Sequence, residues 1–140
     1  MVDTDGSIIT GLFKNGKLNG PGKLTGGCPG ENCGSSYEGG YKDGKFEGQG
    51  ELVDTDGTII TGLFKDGKLN GPGKRTGGCP GVACGISYDG GFKDGKFEGQ
   101  GTKTYVNGDK ERGIWKKGKC KGCKIIKCNK KCRNELKKNT

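Results

Sequence analysis

Polar and apolar residues alternate over short stretches of this chain, and the clearest stretch is residues 37–50. Alternate side chains of a β-strand share a face. The stretch therefore places Tyr37, Gly39, Tyr41 and Phe46 on one face, with Glu38, Lys42 and Lys45 on the other. Asp43-Gly44 between the two halves suits a type I′ turn, because Asp and Gly tolerate positive φ. The pattern predicts a β-hairpin with one apolar face.

This hairpin pattern recurs along the chain at regular spacing. Residues 2–52 match residues 53–103 without a gap, with 41 of 51 positions identical. Shorter units begin near residues 9, 37, 60, 88 and 111, which are 28, 23, 28 and 23 residues apart. The repeats predict an all-β protein in which five hairpins form a single twisted antiparallel meander sheet.

The recurring motif, Y-x-G-x-[YFW]-x-x-G-x-x-x-G-x-G, resembles the MORN (membrane occupation and recognition nexus) repeat family over about residues 7–122. The resemblance implies a β-hairpin solenoid of five repeats in residues 1–122, followed by a basic, cysteine-containing cap or tail in residues 123–140. It also implies a scaffold or binding module. Members of the family occur in cytoskeletal and membrane-linked scaffolds and in giant viruses of amoebae, and a giant-virus origin is one expectation for this chain.

Glycines on the apolar face are predicted to leave slots for aromatic rings of neighbouring strands. Stacked hairpins would then share a thin aromatic and glycine seam, and stability would be a sum over neighbouring interfaces. The predicted seam comprises Tyr37, Gly39, Tyr41, Phe46, Phe64, Tyr88, Phe92, Phe97 and Trp115.

The net charge of +9 is concentrated at the end of the chain. Residues 1–109 contain 12 Lys or Arg against 14 Asp or Glu, whereas residues 110–140 contain 13 against 2. Ile125, Cys128, Cys132 and Leu136 recur at helical spacing, which predicts a short amphipathic helix capping the last strand. The other face of the tail is predicted to bind an anionic partner through Lys127, Lys130, Lys131, Arg133, Lys137 and Lys138.

Eight cysteines form two kinds of cluster. Cys28 with Cys33 and Cys79 with Cys84 flank four-residue Pro-Gly loops, which favours one disulfide in each loop, with free thiols as the alternative. The spacing of Cys120, Cys123, Cys128 and Cys132 suits either two disulfides or one zinc ion. Cys120 also occupies the position of Phe97 and Leu69 in earlier units, which would turn it toward the seam.

No catalytic constellation is recognisable in the sequence. The chain has no His, no nucleophile elbow and no phosphate-binding glycine loop leading into a helix, so we expect no enzyme and no organic cofactor. The expected function is a cysteine-crosslinked scaffold that binds other proteins of an assembly such as a virion. The alternative is binding of the tail to anionic, phosphoinositide-containing membranes.

Several expectations concern partners and location. The tail has no aromatic residues for base stacking, which argues against sequence-specific nucleic-acid binding. Homo-oligomerisation remains open. The polar N-terminal residues resemble no signal peptide, so we expect a cytoplasmic protein, with the virion as the alternative location.

Overall fold

A computed structural model of the protein describes residues 6–26, 34–78, 84–132 and 134. It contains one ten-stranded antiparallel sheet in which every strand pairs with its neighbours in sequence. The predicted all-β hairpin solenoid is therefore confirmed. The strands are β1 (Ile8–Lys14), β2 (Lys17–Thr25), β3 (Ser36–Lys42), β4 (Lys45–Val53), β5 (Ile59–Lys65), β6 (Lys68–Thr76), β7 (Ser87–Lys93), β8 (Lys96–Thr104), β9 (Lys110–Lys116) and β10 (Lys119–Ile126).

Each hairpin closes through a two-residue turn with positive φ at both positions, as a type I′ turn requires. In the second hairpin Asp43 has φ of 50° and Gly44 has φ of 80°. Asn or Asp holds the first position in four of the turns, and Lys117, with φ of 50°, holds it in the fifth. The short turns return each strand beside its predecessor, so the meander follows from local sequence.

A straight row of nine glycines crosses the sheet from β1 to β9. Each member is the register partner of the next, beginning with Gly11 opposite Gly22 and ending with Gly101 opposite Gly113. We call this set the glycine row, and it consists of Gly11, Gly22, Gly39, Gly50, Gly62, Gly73, Gly90, Gly101 and Gly113.

Aromatic rings lie directly over the glycine row on one face of the sheet. The ring of Tyr37 stacks on Phe46 at a centroid distance of 3.7 Å and meets Phe64 edge-on at 5.2 Å. Tyr88 repeats this arrangement with Phe97 at 3.8 Å and Trp115 at 5.4 Å. The structure places the eight aromatic side chains of the predicted seam in one cluster, together with Leu18 and Leu69. We call this cluster the aromatic seam and the opposite side of the sheet the polar face.

The C-terminal segment differs from the expected helix in where helical structure begins. Ile125 belongs to β10, and the helical residues among those described are 130–132 and 134. Leu136 lies outside the described residues. Ile125 and Ile126 are paired with Glu111 and Lys110 of β9, so the backbone hydrogen bonds of the ladder override the helical spacing of the apolar residues.

Candidate functional site

A row of lysines runs along the turn side of the polar face, parallel to the glycine row. Each turn is flanked by two lysines that face each other across the hairpin, as Lys42 faces Lys45. We call these ten residues the turn-lysine row: Lys14, Lys17, Lys42, Lys45, Lys65, Lys68, Lys93, Lys96, Lys116 and Lys119. With strands about 4.8 Å apart, the row is about 43 Å long.

All ten side chains of the turn-lysine row are exposed. Within the described part of the chain, the ion pair is the one between Lys127 and Asp109, so no lysine of the row is paired with a carboxylate. The nearby carboxylates accept hydrogen bonds from backbone amides instead. Glu47 accepts a hydrogen bond from the backbone N–H of Asp66, and Glu98 accepts one from that of Lys117.

Sequence reasoning missed this row because it counted charge along the chain. The near-neutral total for residues 1–109 hides a separation in space, since the turn lysines gather at one side of the sheet. The signal was present in the recurrence of Lys-Asn-Gly-Lys, Lys-Asp-Gly-Lys and Lys-Lys-Gly-Lys at every turn.

Two shallow grooves on the polar face repeat four strands apart, with the glycine row as their floor. One, of about 340 Å³, is lined by Leu63, Pro72 and Lys74 among others. The second, of about 450 Å³, is lined by Gln100, Arg112 and Ile114 among others. Asp89 lines both grooves. Leu63 and Ile114 are 40% and 53% exposed, so each groove presents an apolar side chain beside charged ones.

A repeat model that matches four segments of the sequence identifies the family. The MORN repeat model matches residues 10–27, 37–59, 61–78 and 88–110, more than half of the chain. The chain belongs to the MORN repeat family. The matched segments correspond to the first four hairpins, and the fifth MORN-like hairpin, β9 with β10, is unmatched. A search of curated proteins finds no match to this MORN chain.

The fifth MORN-like hairpin has a shorter bulge than the others. In the first four hairpins, the second strand has two more residues than the first strand between the same two register pairs. In the second hairpin these pairs are Tyr41–Phe46 and Gly39–Gly50. In the fifth hairpin, the second strand has one extra residue, which lies between Lys121 and Lys124. Cys123 therefore lies beside Gly113, the position that sequence alignment gives to Lys124.

The C-terminal cysteines of the MORN array form two pairs at disulfide distance. Cys120 pairs with Cys123 and Cys128 with Cys132, with Cα–Cα separations of 5.9 and 5.4 Å. Both Cys120 and Cys123 pack against the aromatic seam.

The four-cysteine zinc site, the alternative to two disulfides, is not assembled among the described residues. The group of described potential ligands lying within 4.8 Å of one another consists of Glu111, Cys120 and Cys123, without Cys128 or Cys132. Disulfides and zinc would compete for the same sulfur atoms.

Of the four loop cysteines of the MORN array, one lies among the described residues. Cys84 is disulfide-bonded. Cys28, Cys33 and Cys79 lie outside the described residues, so the two loop pairings stay predictions.

The basic tail is anchored at the turn before β9. Asp109 accepts a hydrogen bond from the Cys128 backbone N–H at 2.8 Å and forms the ion pair with Lys127 at 3.2 Å. These two contacts hold the pKa of Asp109 below its usual value, and the backbone hydrogen bond has the larger effect. Lys127 is thus engaged within the chain. Of the other predicted tail cations, Lys130 and Lys131 are exposed, and Arg133, Lys137 and Lys138 lie outside the residues whose side chains are described.

No helix among the described residues has the length and apolar character needed to cross a membrane. The two grooves are open depressions in the polar face of the described sheet.

Proposed function

We propose that this protein is a non-catalytic MORN scaffold whose polar face binds other proteins of an assembly. The observation that carries the proposal is the repetition of the two grooves, each with one exposed apolar side chain, Leu63 or Ile114, next to charged and amide groups. A mixture of apolar anchors and polar partners is typical of protein interfaces. The anchors lie four strands apart, which is about 19 Å, so a partner would contact both at once.

Site-specific photocrosslinking in the natural source tests this function. A photoreactive amino acid at position 63 or 114 should crosslink to the same partner protein, whereas one at Val106, which is 65% exposed on the loop side, should not. Double substitution of Leu63→Ser and Ile114→Ser should release that partner in co-purification. Crosslinks that are equal at all three positions, or that reach lipid alone, would reject the polar face as the interface.

Disulfide bracing is the second part of the proposal. The pairs Cys120–Cys123 and Cys128–Cys132 support it, as does the disulfide of Cys84. Intact mass of native, non-reduced protein, combined with thiol alkylation and a metal assay, provides the test. A mass short by two hydrogens for each bond with no zinc is expected, whereas free thiols with one bound zinc would replace bracing by a metal site. An oxidising assembly such as a virion would suit the first outcome, and the cytoplasm the second.

The alternative function is attachment of the basic tail to an anionic membrane. It is supported by exposed Lys130 and Lys131, since a lysine near an anionic leaflet contributes about 1 kcal/mol. Replacement of the tail cations at 130, 131, 133, 137 and 138 by Gln should abolish binding to vesicles that contain phosphoinositide. Unchanged vesicle binding by that variant would exclude the tail as the anchor.

A further inference from the structure

The turn-lysine row places two like charges opposite each other in each of the five hairpins, which destabilises the fold. Like charges directly opposite on neighbouring strands destabilise a hairpin, by about 0.2–1 kcal/mol for each pair. Every hairpin nevertheless carries such a pair, from Lys14 with Lys17 to Lys116 with Lys119. No described carboxylate forms an ion pair with any of these lysines. Asp94 and Glu98 line one cavity with lysines of the row but do not form ion pairs with them. A cost that recurs in every hairpin without an ion pair indicates an external anion.

The turns that carry these lysines are held in place by the preceding hairpin. The backbone N–H of Gly44 donates to the carbonyl oxygen of Leu18, and that of Gly67 donates to the carbonyl oxygen of Phe46. Gly95 and Gly118 repeat the contact with Leu69 and Phe97. The four later turns are thereby fixed relative to their neighbours. Ligand binding to the row would not have to order the backbone that carries it, which reduces its entropic cost.

The shape of the positive region restricts the ligand to a narrow, elongated one. Successive lysine pairs are two strands apart, or about 10 Å, along the turn side of the sheet. Toward the middle of the polar face, charges of both signs share one row, with Lys23 opposite Glu38 and Lys74 opposite Asp89. At the tips of three turns, Asp43, Asp66 and Asp94 are exposed and lie between the two lysines in sequence.

These flanking carboxylates disfavour broad anions. A planar anionic membrane that approached the turns edge-on would meet the exposed carboxylates at their tips. Single-stranded nucleic acid would lack stacking platforms, because the buried rings of Tyr37, Tyr88 and Trp115 belong to the aromatic seam on the other face. A thin chain of anionic groups could follow the facing lysines from one hairpin to the next.

We propose that the turn-lysine row is a binding site for a thin, unbranched phosphate polymer, which lies along the row and contacts successive lysine pairs. Binding would be electrostatic and additive along the row, so affinity should rise with polymer length until the polymer spans all five pairs. This site is separate from both the grooves and the basic tail.

The test uses the full chain and inorganic polyphosphate of defined lengths, with affinity measured across a series of salt concentrations. Lys65→Gln with Lys68→Gln removes the central pair, and Lys23→Gln with Lys74→Gln is the matched control, because it removes two exposed lysines outside the row. We expect the central variant to weaken binding and to reduce the slope of log K against log salt by about 1.4, by analogy with single-stranded nucleic acid. The control should change both quantities much less.

The central variant relieves a like-charge pair, so its melting temperature should equal or exceed that of the parent protein, which separates binding from folding. Equal losses in the central and control variants would reduce the effect to net charge and overturn the proposal. So would binding that disappears in the Gln-substituted tail variant, or affinity that is independent of polymer length. Tighter binding to anionic vesicles or duplex DNA than to polyphosphate would also overturn it, by assigning the row to a broad anion.

Discussion

The hydroxyl end of Tyr37 lies over Gly50, so close that a Cβ on Gly50 would collide with the tyrosine oxygen and ring. Tyr88 covers Gly101 in the same way. Neither glycine has positive φ, so space and not backbone conformation requires the missing side chain. The glycine row is therefore the floor on which the aromatic seam packs.

Gly50→Ala should destabilise the protein by about 2 kcal/mol or more, because the methyl group overfills a closed contact. Urea unfolding would measure the change, with Gln49→Ala on the exposed face as the neutral control. Tyr37→Ala removes the obstructing ring, so the double variant Tyr37→Ala with Gly50→Ala should lose less stability than the two single changes added together. Simple additivity would show that the tyrosine is not the obstacle.

Tyr41→Phe should leave stability unchanged or raise it by about 1 kcal/mol. The Tyr41 hydroxyl is buried and, among the described residues, has no hydrogen-bond partner. The duplicated unit has Phe92 at the equivalent, equally buried position. Tyr37→Phe is the contrasting variant, since its hydroxyl donates to the carbonyl oxygen of Gly40 at 3.0 Å, and its loss should cost about 1 kcal/mol. Equal destabilisation by both changes would mean that Tyr41 has a partner in solution.

Alkaline pH should unfold the array before it would affect a protein with exposed tyrosines. Burial raises the pKa of Tyr37 and of Tyr41 to about 12, above the usual value of 10.0. Because the folded state holds these protons more tightly than the unfolded state, stability should be constant below about pH 10 and fall as pH rises toward 12. Tyr41→Phe should make this decline shallower in a pH series of urea unfolding curves, and an unaltered slope would argue against its raised pKa.

Lys117→Asn should stabilise the fifth hairpin by about 0.5–1 kcal/mol. Lys117 adopts φ of 50°, where an ordinary side chain is strained and Asn or Asp is tolerated. The reverse change, Asp94→Lys in the fourth turn, should cost a similar amount. Thermal unfolding of the two variants measures both signs, and a loss of stability on Lys117→Asn would point to a role of this side chain beyond the turn.

The tail should detach from the turn at Asp109 as pH falls. The pKa of Asp109 is lowered by the hydrogen bond from the Cys128 N–H and by Lys127. The stabilisation from these contacts is therefore complete above the ordinary Asp pKa of about 3.9 and is lost as pH falls through the lower folded value. Asp109→Asn should abolish this pH dependence. Hydrogen exchange at the Cys128 amide reports the change, and protection that persists at pH 2 would contradict it.

The sequence contained most of the fold because the strands, turns and repeats are local features. Asp43-Gly44 and its equivalents determine where each hairpin turns, and the spacing of Tyr37, Gly39 and Tyr41 determines which face packs. The candidate sites were harder to predict because they depend on register. A one-residue difference in bulge length moved Cys123 to the position expected for Lys124, and nothing in the motif announces that difference.

The turn-lysine row illustrates the same limit in another way. Lys42 and Lys65 are 23 residues apart in sequence but belong to neighbouring hairpins of the sheet. A charge count along the chain assigns them to a neutral segment. The strand pairing within each hairpin shows that the five hairpin turns, and hence their lysines, lie on one side.

Because every strand pairs only with its neighbours in sequence, this array is suited to folding as it is synthesised. A completed hairpin needs no contact with residues that are still inside the ribosome. The next hairpin pairs with a strand that has already formed. Besides the outer edge of β1, the growing chain would expose one unpaired strand edge at a time. Vectorial growth of this kind would let the 51-residue unit be copied during evolution without a new folding problem for each added copy.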